Sequence, residues 1–127
     1  MAEQRFAFRF DRWYNLLATP LLLGPRRSAM VLRDEHLEVE MGWGFSSTID
    51  RSAITAATTR GGLVGGIGVH GMAGRWLVNG SMQGLVQLTL DPEQRAQVMG
   101  VSVRLRQLTV SVVDPEGLVA ALGFAPA

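Results

Sequence analysis

Leu108-Thr109-Val110-Ser111-Val112-Val113-Asp114-Pro115-Glu116-Gly117-Leu118-Val119-Ala120-Ala121-Leu122 runs from an apolar strand straight into a short helix, and that junction decides the fold. Asp114 is suited to cap a helix by accepting backbone N–H groups. Pro115 suits the first helical position, and Gly123 suits the left-handed position just past the end. Within the segment Leu118, Val119 and Leu122 make an apolar stripe that must lie on something. The sequence predicts a helix over about Pro115 to Leu122 that plugs one open end of a β structure.

A second segment carries the same punctuation. Asp91-Pro92-Glu93 follows the apolar run Leu85 to Leu90 and is closed by Gly100, as Asp114-Pro115-Glu116 is closed by Gly123. Here the only large apolar residues are Val98 and Met99, which predicts a single helical turn at the surface. The same capping chemistry used twice accounts for the match better than an internal repeat does.

Upstream the pattern is that of strands. His36 to Met41 alternates, with Leu37, Val39 and Met41 on one face and His36, Glu38 and Glu40 on the other. Ser28 to Arg33 precedes it across an Asp34-Glu35 turn, so the two read as a hairpin. Phe45 to Ile49 adds a third strand after Gly42-Trp43-Gly44, and Ile54 to Thr59 a fourth after Asp50-Arg51-Ser52. Near the start, Phe6, Phe8 and Phe10 share one face of a half-buried strand. Arg12 to Leu23 is apolar without a period of two and reads as a short helix or packed loop ending near Pro20. Arg60 to Gly74 holds seven of the fifteen glycines and predicts no packed regular element along most of its length. Arg75 to Asn79 and Leu85 to Leu90 read as a hairpin joined at Gly80-Ser81. Val101 to Arg106 and Gln107 to Val113 read as two further strands. Their apolar parity shifts between Leu105 and Leu108, which implies a bulge or turn there.

About seven short strands followed by one amphipathic helix resembles the bacterial pleckstrin-homology-like (PH-like) pattern. Leu37-Glu38-Val39-Glu40, a turn, and Ser47-Thr48-Ile49-Asp50-Arg51-Ser52-Ala53-Ile54 resemble the early meander of those domains. Leu108 to Leu122 resembles their last strand and capping helix. The resemblance covers about two-thirds of the chain and implies an antiparallel barrel, or two orthogonal sheets, in a single domain spanning residues 1–127. It also implies a scaffold for peptides, protein partners or lipids. In PH domains that bind phosphoinositides, a basic cluster in the first hairpin loop holds the phosphates. The corresponding loop here is Asp34-Glu35, so phosphoinositide binding is not expected. Arg26-Arg27, the best basic pair, precedes the hairpin and reads as a solvated turn, with an anion clamp as the open alternative.

Composition narrows the chemistry. The chain of 127 residues has 47% hydrophobic residues, enough for a core without staples. It has no cysteine, so disulfides and thiolate chemistry are excluded. All twelve basic residues are arginine, so lysine chemistry is excluded too. A net charge of +1 offers nucleic acid no strong field. The run Leu16 to Leu23 is too short to span a bilayer, which needs about 20 residues. A cytoplasmic protein with no cofactor is the expectation.

No catalytic constellation stands out. Gly66-Ile67-Gly68-Val69-His70-Gly71 matches the dinucleotide fingerprint in spelling, yet a strand rather than a helix is expected after it. His36 and His70 are the only histidines and lack metal-ligand spacing. The leading expectation is a non-catalytic protein or peptide interaction module. The rival is a carrier of a small hydrophobic ligand or lipid inside the barrel; an enzyme ranks third. The expected binding surface is the Gly61 to Gly74 loop and its exit, with His70, Arg75, Trp43, Val69 and Met72 as candidate residues. Glycine lets backbone N–H groups approach a ligand closely. Five large apolar residues among those glycines (Leu63, Val64, Ile67, Val69 and Met72) need burial against the domain, another subunit or a partner.

Overall fold

The computed structural model describes residues 3–9, 28–41, 44–60, 68–79, 81 and 83–124. The expected helix or loop at Arg12 to Leu23, Arg26-Arg27, and Trp43 lie outside the described residues. The strands are β1 (Gln4–Phe6), β2 (Ser28–Leu32), β3 (His36–Met41), β4 (Phe45–Asp50), β5 (Ile54–Arg60), β6 (Gly68–Met72), β7 (Arg75–Asn79), β8 (Leu85–Val98) and β9 (Val101–Ser111). One helix, α1 (Pro115–Ala121), follows.

Among the described residues these nine strands belong to one sheet, ordered β1-β2-β3-β4-β8-β9-β7-β6, with β5 also on β8. The sheet does not close into a barrel among the described residues. One isolated bridge, Phe8 to Val112, joins the continuation of β1 to the end of β9. Around it the Arg9 N–H donates to the Ser111 carbonyl at 2.8 Å and the Val113 N–H to the Ala7 carbonyl at 3.0 Å.

The bend in the sheet has a single level. β4 and β5 both run antiparallel to β8 along the same edge, β4 against Gln97–Val98 and β5 against Leu85–Leu90. Between them sits a 3-10 turn at Arg51–Ala53. At the same height the β8–β9 register jumps from Thr89↔Gln107 to Gln94↔Leu105. β8 therefore loops out residues 90–93 while β9 inserts Arg106. That bulge is the parity shift between Leu105 and Leu108, and it lets both leucines reach the core at 0% exposure. β4 and β8 part just below the corner. There the Ser47 hydroxyl spans the gap to the Arg95 carbonyl at 2.6 Å, and the Gln94 side chain accepts from the Asp50 N–H at 3.1 Å.

Four expectations need correction. Val101–Ser111 is one strand with a bulge rather than two. The segment after Asp91 is no helical turn but the second half of β8, continuous to Val98, and its Asp91-Pro92 peptide is cis. The reason lies in an alternation hidden by weak residues: Gln94, Ala96 and Val98 are less exposed than their neighbours Arg95 and Gln97, and Ala96 is 2% exposed. The glycine-rich stretch contains a strand, β6, in its second half. Finally, β7 does not pair with β8; it pairs antiparallel with β6 and parallel with β9, so the sheet is not wholly antiparallel.

The helix forms as its sequence dictates. The Asp114 carboxylate accepts from the Gly117 N–H at 3.0 Å, and Leu118 and Val119 are fully buried against β5 and β8. Burying two such side chains contributes about 3–6 kcal/mol before the entropic cost of ordering them. Arg51 reaches across to donate to the Ala121 carbonyl at 3.2 Å, near the helix C-terminus.

Candidate functional site

The β6–β7 hairpin sits at one end of the strand order, and its geometry follows from its turn. Ala73 and Gly74 have φ of +55° and +81°. Two successive positive φ values define the two-residue turn whose twist matches that of paired strands. Such a turn makes its flanking residues, Met72 and Arg75, a hydrogen-bonded pair. The register continues His70↔Leu77 and Gly68↔Asn79. Met72, His70 and Gly68 therefore direct their backbone N–H and C=O toward β7. The intervening residues, Val69 and Gly71, direct theirs the other way. The far side of β7 agrees with this phase: the Gly74 carbonyl faces β9, accepting from Arg106 at 2.7 Å and Gln107 at 3.1 Å.

β6 has β7 as its only strand partner among the described residues, so the groups of Val69 and Gly71 form a sheet edge. Edges in natural proteins are commonly guarded by charges, proline or a covering element. No Asp, Glu, Lys, Arg or Pro occurs from Gly61 to Gly74.

The hairpin gathers four of the five candidate residues. Val69, His70 and Met72 lie on β6, and Arg75, which is exposed, opens β7 directly opposite Met72. Trp43 lies outside the described residues. Trp76, the next residue in β7, is half-buried and packs on the core.

A second polar region was not anticipated from the sequence. Arg33, at the end of β2, donates from Nε to Glu38 at 2.6 Å and from Nη1 to Glu3 at 2.7 Å. The hydrogen bond to Glu38, then the charges of Glu38 and Glu3, hold its guanidinium further above its ordinary value. His36 Nε2 lies 3.2 Å from an Asp50 oxygen, pairing the ends of β3 and β4. Glu3, Arg33, Asp34, Glu35 and His36 line an open groove of about 500 Å³. A smaller groove of about 340 Å³ lies over the outer face of β3, β4 and β8, between Glu40, Thr48 and Gln97. The Arg33 pairs are exposed, so water screens them and they contribute little to stability. Only Asp34-Glu35 hinted at this region, because residues 3, 33 and 38 meet through strand pairing and not through any motif.

Among the described residues no group of three or more His, Asp or Glu is placed to hold a metal ion. No described helix is long and apolar enough to cross a membrane. Among the described residues the fold and site thus define a mainly β domain with a C-terminal helix and a strand edge that no described element covers. No family model, no curated protein and no solved structure matches the chain.

Proposed function

We propose that the protein is a non-catalytic, PH-like interaction module that binds an extended protein segment at the edge of β6. The observation that carries this reading is that edge: outward backbone groups at Val69 and Gly71, on a stretch free of charge and proline. Extended peptides add to such edges through main-chain hydrogen bonds, and neighbouring side chains supply selectivity. Arg75, beside the turn, is positioned to favour a partner with an acidic residue near the strand end.

The PH-like part of the proposal rests on strand count and order. Without the β6–β7 hairpin, seven strands and a C-terminal helix remain among the described residues. The Phe8–Val112 bridge brings first and last strands together at the point where a barrel would close. The hairpin is then an addition to the PH-like pattern, docked parallel to its last strand. A cytoplasmic setting fits an unstapled domain without cysteine.

Panning a random peptide library against the immobilised protein tests the reading. Selected peptides should bind wild type and lose at least about tenfold in affinity to Gly71→Pro, which deletes one outward N–H and leaves the β6–β7 bonds intact. Peptides that bind both proteins equally would place the site elsewhere. Fatty acid or lipid co-purifying with the protein, and no peptide selected, would favour the carrier.

A further inference from the structure

The edge of β6 has a property that bears on who occupies it. Its outward groups sit at Val69 and Gly71, placed symmetrically about His70. A second β6 laid antiparallel with a two-fold axis at His70 puts Val69 opposite Gly71 of the other copy and Gly71 opposite its Val69. Both are hydrogen-bonded positions in that register, since such pairs lie two residues apart with a non-bonded pair between them. Two residues per chain, each with one donor and one acceptor, then satisfy one another completely in four hydrogen bonds. A shift by one residue in either direction would leave outward groups facing positions that have none to offer.

Charge agrees with register. In a two-fold pairing each residue meets another from the same stretch, so a charged stretch would set like charges opposite one another, which is destabilising. Gly61 to Gly74 contains no formally charged residue. The glycine at 71 also leaves room for close approach of a second backbone.

We infer that β6 pairs with β6 of a second copy of this chain, forming a two-fold dimer with a continuous sheet across its axis at His70. The inference deepens the interaction-module reading by naming a partner, and rests on that reading's edge. A five-residue strand offers little area, so the dimer dissociates on dilution.

Light scattering coupled to size exclusion, run over a dilution series on the purified protein alone, tests it. Wild type should move from one chain mass toward two as concentration rises. Gly71→Pro and Val69→Pro each delete one outward N–H and should hold the mass at one chain, with the far-UV spectrum unchanged. His70→Pro deletes a bond to β7 instead and should lower the thermal midpoint. A wild-type mass of one chain at every concentration up to the solubility limit overturns the inference. So does a dimer that survives both Gly71→Pro and Val69→Pro. Because no peptide is present, a monomeric wild type that still binds selected peptides at Gly71 separates the failure of the dimer from the failure of the module.

Discussion

Asp91-Pro92-Glu93 and Asp114-Pro115-Glu116 have the same three residues, the same apolar lead-in and a glycine the same distance on, yet one lies inside a 14-residue strand and the other starts a helix. The difference lies in what each segment can bury. After Asp114, Leu118 and Val119 sit side by side on the inner half of the helix and reach 0% exposure against β5 and β8. After Asp91, the residues that can go inward are Gln94, Ala96 and Val98, spaced by two, and β9 offers Val103 and Leu105 beside them. A capping motif is a preference of about 1 kcal/mol, whereas strand pairing plus burial is several times larger. The motif therefore acts only where the periodicity after it agrees.

The comparison breaks most visibly at the buried stripe. Leu118→Asp places an unpaired carboxylate where Leu118 is fully buried. The expected loss is about 4 kcal/mol or more, enough to unfold a marginally stable domain. Thermal unfolding followed by circular dichroism checks it, and an unchanged midpoint would detach the helix from the core.

Ala96→Asp probes the other segment. In a surface helical turn Ala96 would tolerate any polar residue; in β8 it is 2% exposed and faces the interior. A loss of about 2–3 kcal/mol is expected in chemical denaturation, smaller than for Leu118 because less apolar surface disappears and the hairpin end can yield. A loss under about 0.5 kcal/mol would restore the helical reading of residues 91–100.

These contrasts show where the sequence was legible. β3 was read to the residue, because Leu37, Val39 and Met41 are large and alternate with polar neighbours. α1 was legible because cap, proline and stripe agree. β8 beyond Asp91 was not, since its inward positions are a glutamine, an alanine and a valine. The β6–β7 hairpin was hidden for another reason. An Ala73-Gly74 turn is a weak signal beside Asn-Gly, and the parallel docking of β7 on β9 is a long-range pairing that the local parity shift at Arg106 marks with a bulge but does not specify. Four of the five candidate residues, Val69, His70, Met72 and Arg75, nevertheless fall together on that hairpin. The uncharged run of glycine and apolar residues singled out that stretch whether it is read as loop or strand. The Arg33 network stayed invisible because its members, just before β1, just after β2 and within β3, meet only through strand pairing.

The mildest test compares the two aspartates directly. Asp114 accepts from the Gly117 N–H at 3.0 Å, and its own carbonyl accepts from the Leu118 N–H at 3.1 Å, so side chain and backbone both serve the first turn. Asp114→Ala removes the side-chain bond and exposes one helix N–H without a partner. The expected loss is about 1 kcal/mol, a fall in midpoint of about 4 °C for a chain of this size. Asp114→Asn keeps an acceptor and should recover most of it, because capping needs an oxygen rather than a charge. Asp91 is exposed within β8, and no helix begins after it. Asp91→Ala should therefore stay within about 0.5 kcal/mol of wild type. The Asp91 variant controls for losing an aspartate before a proline, so the gap between the two midpoints reports the capping interaction. Equal losses would mean that Asp91 also holds a backbone N–H in solution and that the two segments are less different than their strand and helix suggest.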